Sequence, residues 1–388
     1  MLVTVLVLAF GQLCQRLGLL VNVEHAAIDT RMRLNAPRPE PEVVLIRLTE
    51  DDYDSELFNP KSSQYPSGLK LLIEKVSKAI PSVVGVDVNT SAVAFNGLAQ
   101  QLGIGVGQKL PRCPPIVWAQ DAKLQNGYLT PLPVLGGNSA SATTGLVIMR
   151  EDDDDNVLRH YQRAYDIKNG SADSFPWKIV KERMTSPCSN DQPGKGKQDF
   201  AKLEKARDTN KPLAIRLALE DGTSGPSRRL NLSALQFMHL KDAAALDLLH
   251  SSIVLIGSDY REARDEHVTP VGILHGVDIL AQTIETELQD HGGIPEPRLS
   301  AVLVILAFEN IVLVYLFHVI KSLPRAFFLS IVSVSLAATL CSRLGFGTWR
   351  LWAYFLPIMG AVMILELYYI AVHHRVEVSA EVLKGRRQ

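Results

Sequence analysis

Three oily segments near the C-terminus limit this chain more than any other feature. LSAVLVILAFENIVLVYLFHVI starts at Leu299, AFFLSIVSVSLAATLCSRLGF at Ala326 and LWAYFLPIMGAVMILELYYIAV at Leu351. A helix needs roughly 20 apolar residues to cross about 30 Å of hydrocarbon, and each run meets that length. Trp349, Trp352, Tyr354, Tyr368 and Tyr369 gather near the ends of the last run, where amphipathic rings favour the boundary between lipid and water. The first residues, MLVTVLVLAFGQLCQRLGLLVNV, form a weaker apolar segment broken by Gln12, Gln15 and Arg16. No basic stretch precedes it and no small-x-small cleavage site follows, so it reads as a signal anchor and not a cleaved leader. Leu13 stands before Cys14 where a lipidation signal needs a small residue.

The expected division is an N-terminal transmembrane anchor at 1–23, a folded domain at 24–297, three transmembrane helices at 298–373 and a short basic tail at 374–388. Basic residues in short loops set orientation. Lys321 and Arg325, with Arg375, Lys384, Arg386 and Arg387, outweigh Arg343 and Arg350 on the opposite side. Both termini are thus expected in the cytoplasm of a multi-pass inner-membrane protein, with the 24–297 domain periplasmic or extracellular. A formal net charge of −1 offers no basic surplus for nucleic acid.

Polar residues inside the spans need partners. Glu309 and Asn310 fall near the middle of the second span and Glu366 within the fourth. An ionised carboxylate there costs at least roughly 2.5 kcal/mol. Three readings stand: hydrogen bonding within the bundle, contact with a partner's helix, or an ion or proton path. Cys14 and Cys341 belong to apolar segments, which leaves Cys113 and Cys188 as the one pair available for a disulfide in an oxidising compartment.

Between the anchors, short β-rich runs alternate with helical patterns. EVVLIRL (42–48) and SVVGVDV (82–88) read as buried strands, and SGLKLLIEKVSKAI between them carries apolar positions at helical spacing, making a βαβ unit. Further strands are expected at 115–119, 144–149, 157–165, 213–219 and 253–257, and helices at 92–102, 175–184 and 276–287. The pattern predicts an α/β domain with a mixed, largely covered sheet. The polar stretch 186–212 reads as a surface insertion.

Few motifs carry chemistry. EDDDDN (151–156) fails as a calcium loop: an EF-hand frame from Asp152 puts Val157 at the turn glycine and Arg163 at the bidentate glutamate. A solvated turn is the expectation there. GIGVG (103–107) matches neither a dinucleotide nor a P-loop fingerprint. H-E-x-x-H, paired C-x-x-C and G-x-S-x-G are all absent from the sequence, and no cofactor or metal is expected. Asp265 and His267 remain. An aspartate can orient an imidazole, yet a catalytic pair also needs a nucleophile or a metal. Structural, ligand-recognition and catalytic roles stay open for them.

Several separated pieces resemble one family, the second class of CHASE domains. They are DTRMRL (29–34), EVVLIRLTEDDYD (42–54), VVGVDV with Asp87, DDDDNVLRHY, VLIGSDYREARDEHVTPVG and GVDILAQTIETEL. The resemblance covers roughly 24–290 and implies an extracytoplasmic sensory module with one span before it and usually three after. YPSG (65–68), Leu280 and Ala281 depart from the family's usual residues, and the family implies no single ligand. In such proteins a cytoplasmic kinase or cyclase follows the spans. The short tail leads to the expectation of a separately encoded membrane or cytoplasmic effector.

The leading reading is therefore a membrane sensor or regulatory subunit, not an enzyme, that detects a small molecule or an envelope protein. Asp87, Asp265, His267, Thr269 and Pro270 are its candidate ligand-binding or signal-coupling residues. Thr269 and Pro270 break the loop before a helix, starting at Gly276, that points toward the spans. The alternatives are a structural subunit of an envelope complex and an enzyme using Asp265 and His267. A homo-oligomer is compatible with each.

Overall fold

Val43 to Leu48 place alternate side chains on opposite faces, because a strand repeats every two residues. Val44, Ile46 and Leu48 enter one apolar cluster and Val43 and Leu45 another. A strand apolar on both faces belongs inside a sheet covered by helices on both sides, and that is its position. The computed structural model describes residues 25, 29, 42–103, 114–137, 142–152, 155–168, 170–185, 213–215, 217, 229–263 and 265–290. The chain divides into two units, 1–34 with 295–388, and 35–294; the elements below belong to the second.

The strands are β1 (Val43–Leu48), β2 (Val83–Asp87), β3 (Ile116–Gln120), β4 (Ala122–Gln125), β5 (Tyr128–Pro131), β6 (Thr143–Leu146), β7 (His160–Tyr161), β8 (Ala164–Ile167), β9 (Gly170–Asp173), β10 (Leu213–Ala214), β11 (Asn231–Ser233), β12 (Ile253–Ser258), β13 (Glu266–Thr269) and β14 (Gly272–His275). The helices are α1 (Glu50–Tyr53), α2 (Tyr65–Lys78), α3 (Leu98–Gln101), α4 (Phe175–Thr185), α5 (Ala234–His239), α6 (Asp242–Leu249) and α7 (Gly276–Asp290).

The central sheet has the order β11-β1-β12-β2-β3-β6, and every neighbouring pair is parallel. On one face α2, α5 and α6 bury Leu69, Leu72, Val76, Phe237 and Leu249 against Ile46, Val86, Trp118 and Ile256. On the other, α4 and α7 bury Phe175, Trp177, Ile179, Val277 and Ile284 against Leu45, Val83, Val117 and Leu255. Mixed pairing occurs in a second sheet, β4-β5-β8-β9, where β5 and β8 are parallel and the outer pairs antiparallel. The α/β content with mixed sheets is therefore present, and the central sheet itself is wholly parallel.

Individual elements depart from the expectations in instructive ways. β1 and β2 flank α2 as read, but β12, from far along the chain, lies between them. The expected helix at 92–102 is a 3₁₀ turn, Val93–Phe95, followed by the single turn α3. The stretch 157–165 holds two short strands, and 213–219 only β10 within the described residues. The acidic run is more than a solvated turn. Asp152 and Asp155 bond Arg159 at 2.9 and 2.8 Å, and that arginine is 1% exposed. Two carboxylates neutralise a buried guanidinium, which would be costly to leave unpaired.

Among the described residues no helix is long and apolar enough to cross a membrane. The four expected spans, with Glu309, Asn310 and Glu366, lie outside the described residues, as do Cys113, Cys188 and the insertion 186–212.

Candidate functional site at the C-terminal edge of the sheet

Parallel strands end together, so the loops after them share one rim, the usual place for ligands in α/β sheets. Here β2 ends in Asp87, Asp121 follows β3, Asp259 follows β12, and Asp265 begins the β13–β14 hairpin. Asp87 and its strand neighbour Gly257 are in register. Gly257 is required by a close approach: a Cβ there would lie 2.9 Å from Val277 Cβ and 3.6 Å from Asp87 Cβ. The missing side chain lets α7 start directly against β12, beside Asp87.

Carboxylates dominate this corner. Asp87 is partly buried at the end of β2. Burial, then the neighbouring charges of Asp265 and Asp121, push its carboxyl up to about 8. It therefore keeps its proton through neutral pH. Asp121 is shifted upward too, by partial desolvation and by Asp265.

His267 stands between two carboxylates, with Nε2 3.2 Å from Asp265 Oδ1 and Nδ1 3.4 Å from Glu151 Oε1. The hydrogen bond with Asp265 leads in raising its pKa against a desolvation that lowers it, and Glu151 adds to the rise. Neither of these ring contacts is a hydroxyl or thiol, so the pair has the form of an ion bridge and not of a base poised on a nucleophile.

A second ionic group ties the same corner to the helix. Arg47, at the end of β1, donates to Asp259 at 2.7 Å and to Asp278 of α7 at 2.5 Å. His275, closing β14, meets Asp259 at 2.9 Å. The backbone N–H of Gly276 donates to the Asp265 carbonyl at 2.8 Å.

The structure thus brings Asp87, Asp265 and His267 together. Thr269 and Pro270 sit at the other end of the strand, buried in the hairpin turn, where the Thr269 hydroxyl donates to the Gly272 carbonyl at 2.5 Å. They shape the hairpin; the segment expected as a loop is two paired strands.

Sequence reasoning missed Arg47, Glu151, Asp259, Asp278 and Asp52. A charge inside VVLIRL was the available signal for Arg47, because a buried strand carries an arginine only where partners wait. Asp52 is fully buried, and its carboxylate accepts from Leu235 N at 2.7 Å and from Ala234 N at 3.3 Å, capping α5 from a distant segment. Nothing local betrays that contact.

Elsewhere, a narrow and largely apolar cavity lies between the β6 end, α4 and α7, lined by Leu146, Met149, Tyr165, Ile279 and Thr283. Its volume of about 20 Å³ suits one water and no larger ligand. Past this cavity α7 is buried from Gly276 to Glu287. Arg163 binds Glu287 at 2.8 and 2.7 Å, with Tyr161 also on Glu287, and Arg229 binds Glu285 at 3.2 and 2.6 Å.

In comparisons with known proteins, no curated protein and no solved structure matches the chain. The family model for the CHASE2 domain matches residues 2–319.

Proposed function

Because the chain belongs to the CHASE2 domain family, a family of extracytoplasmic sensor domains, we propose that it is a membrane receptor subunit that passes an external signal to a separately encoded effector. In this reading the apolar segments at both ends cross the inner membrane. The α/β domain lies outside the cytoplasm, and the rim around Asp87, Asp265 and His267 receives the signal.

The observation that carries the proposal is continuity between rim and helix. The backbone carbonyl of Asp265 accepts from the first N–H of α7, and Arg47 joins Asp259 to Asp278 on the first turn of α7. A change in charge or hydrogen bonding at the rim is therefore felt at the start of α7, and the chain reaches the apolar run from Leu299 soon after that helix ends. Transmission of this kind requires only that a ligand interact differently with two arrangements of the helix. His267, with carboxylates on both nitrogens, favours recognition over catalysis.

The test uses the full chain in native membranes. Crosslinking followed by affinity capture should recover a cytoplasm-facing effector, and Asp265→Asn should change that effector's output while leaving the amount of inserted protein unaltered. Capture of no effector, or an output indifferent to the substitution, would count against the reading.

A further inference from the structure

Both nitrogens of His267 face oxygens that only accept. A neutral imidazole has one N–H, whereas an imidazolium has two. The bridge from Asp265 to Glu151 is complete only in the second form. We propose that doubly protonated His267 is a clasp that holds the β13–β14 hairpin to the loop after β6, and that loss of its proton frees the hairpin and the first turn of α7, making the domain responsive to external pH.

The surrounding charges set the direction. On the hairpin itself are Asp265 and Glu266. The loop carries Arg150, Glu151 and Asp152, the last held by Arg159 and His160. Asp87 comes from β2 and Asp121 from the end of β3, both within electrostatic reach of Asp265. Asp259, Arg47, His275 and Asp278 form the ionic group at the hairpin base. Arg264 lies outside the described residues. Once His267 is neutral, one of its two carboxylates loses its donor and the pair faces across the gap without the intervening cation. A second hold on the hairpin, Leu158 N–H to the Val268 carbonyl at 2.8 Å, does not titrate, so the hairpin loosens without detaching.

The raised pKa of His267 gives the sign. The clasp's contribution is fully present below the ordinary value of 6.5 and is lost as pH rises through the folded-state value. This deepens the sensor reading but is measured within the chain, so the two can fail separately.

Hydrogen exchange of peptides covering 265–279, corrected for intrinsic pH dependence, is to be followed in the full chain in detergent at about pH 6 and about pH 8.5. Wild type should exchange about tenfold faster at the higher pH, the order expected for loss of one charge-assisted hydrogen bond. His267→Gln should exchange equally fast at both, and Glu151→Gln, at a half-exposed position that tolerates change, should remove most of the pH dependence. Unchanging exchange in wild type, or a full rise retained in His267→Gln, would overturn the clasp. A clasp that titrates while no effector is captured, or while effector output ignores Asp265→Asn, would leave this inference standing and count against the sensor reading.

Discussion

Asp87 shows how one residue can oppose the fold that holds it. In the unfolded chain its carboxyl ionises near the ordinary 3.8, whereas in the folded chain it holds its proton up to about 8. Between those values the folded state binds the extra proton, so stability falls with rising pH across that window and levels off above it. Asp87→Asn is expected to flatten this decline, measured as Tm against pH on the full chain. A variant with the wild-type slope would place the cause elsewhere. Arg163 and Glu287 present the opposite case. Both are buried, and the guanidinium also stacks over Trp177 at 4.2 Å. Arg163→Met strands a carboxylate and should cost roughly 3–5 kcal/mol in a denaturant titration. Adding Glu287→Leu should recover much of that loss, because an apolar pair carries no desolvation penalty.

At the scale of elements, α7 is held by buried ion pairs near its C-terminal end. Glu285 and Glu287 are two residues apart, so they point about 200° from each other around the helix. Each is gripped by an arginine from a different segment. Rotation or sliding of α7 must break at least one buried ion pair, which favours discrete positions over gradual drift. The other end rests on Gly257. Gly257→Ala would push a methyl group into Val277, displacing the first turn of α7 at a cost of roughly 1–3 kcal/mol. Faster hydrogen exchange confined to 276–284 is the expected readout. The sequence revealed α7 readily, since VDILAQTIETEL has helical spacing and Gly276 precedes it. It did not reveal that Gln282, Glu285 and Glu287 are buried, because polar residues on a helix ordinarily face water. Arg163 and Arg229, the partners of the two glutamates, lie far away in the chain.

For the whole molecule, the proposed topology makes a direct prediction. A cysteine at Tyr128, exposed in the β4–β5 hairpin, should react with a membrane-impermeant maleimide added to spheroplasts, without permeabilisation. Protection from that reagent would reverse the orientation. Within the proposed bundle, Glu309→Leu should weaken capture of the effector while leaving the external domain folded, since a carboxylate in hydrocarbon is retained for what it contacts. Unchanged capture would remove Glu309 from the partner interface.

Length and apolar patterning alone supported the α/β class, the strands read at 42–48 and 253–257 and the helices from Phe175 and Gly276. These signals are local, because periodicity and burial on both faces are written into consecutive residues. Family membership was legible in the order of short motifs from 29 to 288. Only the tertiary structure decided that β12 enters between β1 and β2, that Asp87 meets Asp265 and His267, and that an acidic loop neutralises Arg159 and reaches His267. Pairing of distant segments depends on which faces meet when the sheet closes. No run of neighbouring residues encodes that meeting by itself.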